Sequence, residues 1–440
     1  MITQAPLVAA PQLPHFATPS SSQLDNGLKI IVLHLPGQHV VSVSAVVDAP
    51  LGEDDPEGVG SICARTLDEG TLLHPGGRFA EVLENSGAVF GAFQELHGIV
   101  AGIDVPSTRL PEALELFAEA LTTPELSTAD VERHVALRLA EIEQQAANPG
   151  FTAAKEFRRA VYSADSRVSR PLAGDADSVA SISAGAVQGY HHSRYTPDAT
   201  TIVIGGDFSG VDPVRLVEAA LGHWEGRSHA PAQPLTAPGD REYRLISRTE
   251  AVQANLQLGG FGIDRTDPRW PALRVALYAM GGSFGSRLNL LLREDLGYTY
   301  GVRLSPSPLR SGGSFALTGS FRTEVTADAI DQALATMFDG RPITEQEVAN
   351  AVNYYIGSAP LTWATAEALV DQTSRQVLNG QPEDYLATSL RALSEVTAAQ
   401  ASKAYAEIVT PDELSLIVVG EPSLAESLPQ PDSLPPLGTD

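Results

Sequence analysis

Cysteine, long apolar runs and basic residues are all scarce in this 440-residue chain. A single cysteine, Cys63, excludes an intrachain disulfide and a cysteine-rich zinc module. No uninterrupted apolar stretch reaches the roughly 18 residues that predict a membrane-spanning helix. Acidic residues outnumber basic ones by 54 to 29, giving a net charge of −25. Because such a charge repels phosphate backbones and anionic lipids, we expect neither nucleic acid nor a membrane as a partner.

The remaining composition is that of a globular protein, with 43% apolar and 19% charged residues. Residues 1–23 have no cationic start and no long apolar segment, so they do not resemble a secretory signal. We therefore predict a cytoplasmic location.

Composition divides the chain into five parts. The Pro- and Ser-rich residues 1–23 and the acidic, proline-rich residues 426–440 are predicted to be flexible tails. Residues 227–240 contain three prolines and predict a linker. This linker separates an N-terminal half, 24–226, from a C-terminal half, 241–425.

The two halves share a pattern that indicates a duplication. Thr-Pro-Asp occurs at 196–198 and again at 410–412. Each copy follows an alanine-rich helical stretch and precedes an apolar strand that ends in a glycine, Gly205 or Gly420. The predicted fold class is α+β, with two homologous halves that each pack helices on one face of a mixed, largely antiparallel sheet.

Periodicity and capping residues predict the main elements. Ser127 is a candidate cap for a long helix over 128–147, with Asp130 three residues further on. The other predicted helices cover 58–67, 78–85, 268–280 and 286–295, and the predicted strands cover 28–33, 40–47, 89–94, 98–105, 254–260, 298–304 and 314–321.

Residues 281–285 match the G-x-S-x-G pattern of serine hydrolases, but the context is wrong. A helix is predicted before the serine where a strand is required. The last histidine, His229, also precedes it, so the hydrolase order of catalytic residues cannot form.

Several motifs together resemble one enzyme family. They are the Gly-Gly-x-x-x-Ser-Arg-Leu segment at 281–288, Leu-Arg-Glu at 292–294, and Tyr300 seven residues after Arg293. The first half adds Leu-Asp-Asn-Gly-Leu at 24–28 and a strand ending in Gly206-Asp207. The chain resembles the inverted-zincin metallopeptidases (pitrilysin, insulin-degrading enzyme and mitochondrial processing peptidase) over residues 22–425. The resemblance implies a clamshell of which this chain forms one side.

The family's zinc motif, H-x-x-E-H, is missing. Residues 58–71 read GVGSICARTLDEGT, so the resemblance puts Ser61 and Arg65 at the histidine positions and Ala64 at the general base. Zinc would need imidazoles at i and i+4 on one helical face, with a carboxylate to take the water proton. We therefore expect no metal or other cofactor in this chain.

The third zinc ligand of the family matches Glu141, which is retained, whereas the family's supporting glutamate is replaced by His134. We hypothesise that Arg65 pairs with Glu141, so that a cation replaces the zinc charge in a degenerate metal site. The alternative is that Glu141 is an ordinary solvated helix residue. A substitute zinc site of Cys63, His97 and His134 is a weaker possibility.

The resemblance gives Arg293 and Tyr300 a role in substrate binding and oxyanion stabilisation. The structural alternatives are a cation at a helix C-terminus and a packed strand residue. The resemblance also makes 89–94, with Phe90, Gly91 and Ala92, an edge strand that adds a peptide substrate to the sheet. Gly91 replaces the family's usual asparagine there, which removes one polar contact.

We thus predict a pseudoenzyme: a non-catalytic, peptide-binding subunit of a heterodimeric zinc endopeptidase. A homologous partner with an intact H-x-x-E-H would supply zinc and the general base, and the chain alone would be inactive. The main alternative is a peptidase-derived scaffold or interaction protein without a proteolytic role. An active homodimer with another metal site is a weaker option.

Overall fold

The computed structural model describes residues 10–229 and 233–429. It divides into two compact units. The first unit comprises Ala17–Asp240 and Trp363–Tyr385, and the second comprises residues 10–16, Arg241–Thr362 and the described residues after Tyr385. None of the helices within the described ranges has the length and apolarity needed to cross a membrane.

The first unit is built on a six-stranded mixed sheet in the order β1-β2-β6-β3-β5-β4. Strands β2 and β6 are parallel, and the other pairs are antiparallel. The strands are β1 (Ser20–Gln23), β2 (Lys29–His34), β3 (Val40–Val47), β4 (Val89–Glu95), β5 (Gly98–Pro106) and β6 (Thr200–Gly206). The helices are α1 (Val59–Thr66), α2 (Gly77–Asn85), α3 (Leu110–Thr122), α4 (Thr128–Ala146), α5 (Pro149–Val161), α6 (Ala176–Ala180), α7 (Ala184–Arg194) and α8 (Pro213–Leu221).

The second unit repeats this arrangement with five strands in the order β7-β11-β8-β10-β9. Its strands are β7 (Tyr243–Ser247), β8 (Gln253–Gly262), β9 (Val302–Pro308), β10 (Gly313–Arg322) and β11 (Ser415–Gly420). Its helices are α9 (Trp270–Leu277), α10 (Arg287–Asn289), α11 (Thr326–Met337), α12 (Glu345–Thr362), α14 (Tyr385–Ser394) and α15 (Ala398–Ile408), while α13 (Ala366–Leu378) belongs to the first unit. Two π-helical segments cover Tyr278–Gly282 and Leu290–Asp295.

The predicted duplication and the α+β class are confirmed by this topology. In each unit the last strand, β6 or β11, pairs in parallel with the first long strand and antiparallel with the next. Each Thr-Pro-Asp begins a short 3₁₀ turn immediately before that last strand. Proline fixes φ there and ends the preceding helix, which explains why the motif recurs at this point.

Helix α13 covers a face of the first sheet that was expected to be bare. In β6, Ile202 and Ile204 face the main core, and Gly205 alternates to the other side. A Cβ on Gly205 would lie 2.7 Å from Val370 Cγ2, so the glycine admits α13. Both faces are therefore covered, which explains why β3 and β6 are buried almost throughout.

Three expected boundaries need correction. Ser20–Gln23 is strand β1 rather than tail, because it pairs antiparallel with β2. Residues 363–385 were assigned to the C-terminal half, yet they pack in the first unit. The linker is anchored to the first unit, since Ser166 Oγ donates to the carbonyl of Leu235 at 2.6 Å. The predicted flexibility of residues 1–9 and 430–440 concerns parts of the chain outside the described residues.

Candidate functional site

The predicted degenerate metal site lies on helix α1, which is buried on every side except at Arg65. Gly58 begins the helix in a left-handed conformation, with φ of +93°, and a Cβ there would lie 2.9 Å from the carbonyl oxygen of Ala173. Ser61 and Ala64 are both buried, at 8% and 1% exposure. Arg65 is thus the one side chain of α1 that extends toward solvent, in the last turn, where the helix dipole favours a cation.

Helix α4 presents Glu141 to Arg65. Ser127 caps this helix as predicted, accepting a hydrogen bond from the backbone N–H of Asp130. Arg65 Nη1 donates to Glu141 Oε1 at 2.8 Å, and Arg65 Nη2 donates to Oε2 at 3.0 Å. The predicted ion pair is therefore confirmed, and it is bidentate, the strongest geometry for an arginine and a carboxylate.

A second arginine completes the cluster around Glu141. Arg138 lies one turn earlier on α4, and its Nη1 is 3.2 Å from Glu141 Oε2. Its Nε donates to the carbonyl oxygen of Ala173 at 3.1 Å. These hydrogen bonds, that from Arg65 first, lower the pKa of Glu141 below its ordinary value of 4.5. Glu141 is an ionised acceptor whose two oxygens are both engaged.

These residues do not fit a zinc ion. Both oxygens of Glu141 are bound to guanidinium groups, and a permanent cation stands where the family places an imidazole. The alternative set of Cys63, His97 and His134 is not brought together. His134 Nε2 lies 2.7 Å from Glu69 Oε1, His97 Nδ1 lies 3.2 Å from Gln233 Oε1, and burial raises the pKa of the Cys63 thiol to about 12. Across residues 10–229 and 233–429, no group of three or more His, Cys, Asp or Glu residues could hold a metal ion.

Strand β4 lies at the edge of the first sheet, with β5 as its one neighbour. Phe90 and Ala92 pack against the core, and the Phe90 ring lies 6.0 Å from that of Phe117. Gly91 is on the opposite, exposed side between Val89 and Phe93, which are 69% and 53% exposed. No atom would contact a Cβ on Gly91 within 4 Å. The outer edge of β4 thus combines a free backbone with an apolar surface, the arrangement that accepts an added strand.

In the second unit, Arg293 lies in the π-helical segment Leu290–Asp295. Its guanidinium carbon is 4.6 Å from the centroid of the Phe284 ring, and its Nη1 is 3.1 Å from Glu294 Oε1. The side chain remains 37% exposed. The cation–π contact holds the guanidinium at the surface. Among the described residues, Glu294 is its one ionic partner, so that N–H groups are left to bind a carbonyl or carboxylate.

Tyr300 is 95% exposed, although the loop that carries it is well anchored. Tyr298 donates its hydroxyl to Asp328 at 2.6 Å, and Thr299 donates to the carbonyl of Ser320 at 2.9 Å. The backbone N–H of Val302 donates to Asn289 Oδ1 at 2.9 Å. The predicted strand 298–304 is therefore wrong at its start, because these side-chain contacts hold residues 298–301 as a loop before β9. The alternative of Tyr300 as a packed strand residue is also wrong.

Phe284 connects the two residues and was not singled out from the sequence. It is 70% exposed, stacks on Arg293, and lies 3.6 Å from the position of a Cβ on Gly301, next to Tyr300. The sequence signal that could have identified Phe284 is an aromatic residue between glycines, in a segment where a helix passes into a loop. The preceding Gly281 has a packing role, since a Cβ there would lie 2.6 Å from Leu304 Cβ.

Two family models match the chain in succession. One is described as Insulinase (Peptidase family M16) and matches residues 29–176, and the other is described as the Peptidase M16 inactive domain and matches residues 181–355. The chain belongs to peptidase family M16. The M16 resemblance seen in the sequence is thereby confirmed.

Curated relatives match most of the chain. An uncharacterised zinc protease of Mycobacterium bovis is 26% identical over 429 residues, covering 94% of this chain and 95% of that protein. A Helicobacter pylori protein named non-peptidase homolog YmxG is 21% identical over 364 residues, covering 81% and 84%.

Solved structures share the fold. A structure described as a peptidase M16 inactive domain, from Pseudomonas fluorescens, matches with a TM-score of 0.85 and 24% identity, covering 92% of this chain and 98% of that chain. A chain of complex III2 from Candida albicans matches with a TM-score of 0.77 and 15% identity, covering 93% and 97%. At these identities the likeness is one of fold.

Proposed function

We propose that this M16 chain is the non-catalytic, peptide-binding subunit of a heterodimeric zinc endopeptidase. A homologous partner with an intact H-x-x-E-H would hold zinc and activate the water. The observation that supports this proposal is the asymmetry between the two sites. Both oxygens of Glu141 are bound by arginines, whereas Tyr300 is 95% exposed on an anchored loop next to Phe284, the ring on which Arg293 stacks.

The exposed site has the chemistry that a substrate-binding role requires. Arg293 would offer N–H donors to a peptide carbonyl, and Tyr300 would offer a hydroxyl to the developing oxyanion, while the zinc of the partner would activate the water. The exposure of Phe284 and Tyr300 does not stabilise the fold, because large apolar side chains left in water do not gain the free energy of burial. Their exposure is therefore better explained by a binding role.

The test is the turnover of a quenched fluorescent peptide by the complex purified with its partner. R293A should lower kcat by about 10²–10³-fold, the usual cost of losing one donor to the oxyanion. Y300F, which removes only the hydroxyl, should reduce kcat in the same direction. R391A is the matched control, since Arg391 is an exposed arginine on α14 of the same unit.

Zinc content and assembly are measured on each variant, so that a loss of the complex is not mistaken for a loss of catalysis. An unchanged rate for R293A in an intact, zinc-containing complex would contradict the proposal. That outcome would favour the scaffold alternative.

A further inference from the structure

A cavity of about 660 Å³ lies in the first unit beside the pair of Arg65 and Glu141. Helix α4, helix α5 and residues 169–175 line it. Its volume falls in the range of sites that bind small ligands or single side chains, about 300–1,000 Å³. No local pattern of residues indicates this cavity, because its walls come from three separate segments.

The carboxylates around this cavity are already engaged. Glu141 is bound by Arg65 and Arg138, and Glu156 lies 3.4 Å from Nη1 of Arg159. The Asp175 carboxylate accepts the backbone N–H of Ser178 as the cap of α6.

Two cations of the lining differ from these groups. Lys155 and Arg158 lie three residues apart on α5, so their side chains are neighbours on one face of the helix. Within the described part of the chain, neither side chain forms an ion pair or a hydrogen bond. In a protein with a net charge of −25, two unpaired cations beside one cavity are a local attraction for an anion.

Much of the remaining lining is apolar, although Gln145, Thr152 and Ser169 also contribute to it. Phe151 is 43% exposed, and Ile142, Ala146 and Leu172 also line the cavity. A ligand that reaches Lys155 and Arg158 would therefore bring an apolar group against Phe151. The lining has four cations and three carboxylates, and one of these carboxylates, Glu156, is paired with Arg159 outside the lining. A net positive charge therefore faces the cavity and favours an anion.

We propose that this cavity binds a carboxylate attached to an apolar group, and specifically the C-terminal carboxylate of a peptide ending in an apolar residue. The choice of a peptide rests on the proposed function. The carboxylate would bind Lys155 and Arg158, and the last side chain would pack against Phe151. Removing a hydrogen bond to a charged group costs about tenfold or more in affinity, which sets the size of the expected effect.

The test uses the isolated full-length chain and a fluorescein-labelled heptapeptide that ends in phenylalanine, as the free acid and as the amide. Fluorescence anisotropy should show the free acid binding about tenfold more tightly than the amide. The K155Q/R158Q variant should bind both equally. K403Q is the control, since Lys403 is 76% exposed in the second unit.

A second readout uses the scarcity of lysine, since the chain contains Lys29, Lys155 and Lys403 and no other. Saturation with the free-acid peptide should slow the acetylation of Lys155 by about tenfold and leave that of Lys403 unchanged. Octanoate serves as the competitor. If octanoate displaces the peptide and protects Lys155 equally well, the carboxylate site stands and free carboxylic acids are its ligands.

Equal affinity for the free acid and the amide would overturn the proposal, as would a preference that survives in K155Q/R158Q. These measurements need no partner subunit. Their failure is therefore distinguishable from an unchanged turnover of the complex with R293A, which concerns the second unit.

Discussion

Glu141 accepts hydrogen bonds from Arg65 and Arg138, so its ionisation contributes to folding. E141Q keeps the shape but removes the charge, and it leaves two arginines facing each other. Because the pair is about one third exposed, we expect a loss of only about 1 kcal/mol in the free energy of unfolding at pH 7.

The pH dependence of this loss follows from the lowered pKa of Glu141. A lowered pKa in the folded state stabilises the protein above the ordinary value of 4.5, and the effect disappears as the pH falls through the folded-state pKa. Urea unfolding at pH 7 and at successive values below 4.5 should show the difference between E141Q and the parent shrinking. E143Q, on an exposed glutamate of the same helix, is the control, and an E141Q deficit that persists at low pH would contradict this account.

The match of Ser61 and Arg65 to lost zinc ligands is also testable. The two residues are four apart on α1, and Arg65 contacts Glu141, so S61H/R65H places two imidazoles and a carboxylate on one side. We expect this variant to retain about one zinc ion per chain after desalting, measured by atomic absorption. Adding E141Q should abolish the retention. Equal zinc content in S61H/R65H with and without E141Q would show that Glu141 does not act as a zinc ligand together with positions 61 and 65.

At the scale of elements, the packing of α13 on the first sheet depends on Gly205. G205A places a methyl group 2.7 Å from Val370 Cγ2, which is overpacking with a cost of about 1–3 kcal/mol in the free energy of unfolding. The double variant G205A/V370A should regain part of the stability that G205A loses, because V370A removes the methyl group that is too close. Urea unfolding of G205A, V370A and the double variant measures this coupling.

The control is G185A on α7, where the nearest atom to the new methyl group would be 3.9 Å away. That substitution should leave stability unchanged or slightly higher, because alanine favours helix more than glycine does. Simple additivity of G205A and V370A would contradict the assigned contact.

The sequence predicted correctly those helices and strands whose formation depends on residues close together in the chain. The strand at Val40–Val47 and the Ser127 cap agree with the sequence because alternation and capping act within a few residues. Residues 298–301 were predicted as strand, but the contact of Tyr298 with Asp328 and that of Thr299 with Ser320 hold them as a loop. Such contacts join distant segments, so no local pattern reveals them.

For the candidate site, too, the sequence predicted some contacts and missed those that join distant segments. The pairing of Arg65 with Glu141 was predictable because the family places both positions around one metal. The position of Phe284 and the cavity beside α5 were not, since each depends on packing between separate segments. The assignment of residues 363–385 to the C-terminal half was wrong for the same reason, since these residues pack in the first unit.

At the scale of the whole molecule, the chain contains two units of like topology that differ in the groups they expose. In the first, Arg65 is bound to Glu141, and in the second, Arg293 and Tyr300 are exposed. Under the proposed function, Arg293 and Tyr300 are this chain's part of an active site divided between two chains.

The most direct measurement is to tag this chain, recover it from its own host at native levels, and identify the copurifying proteins by quantitative mass spectrometry. The account predicts a stoichiometric homologue with an intact H-x-x-E-H, and zinc bound to that homologue in a ratio of about one per pair. Recovery of this chain without such a partner, or with partners unrelated to M16, would contradict the central claim.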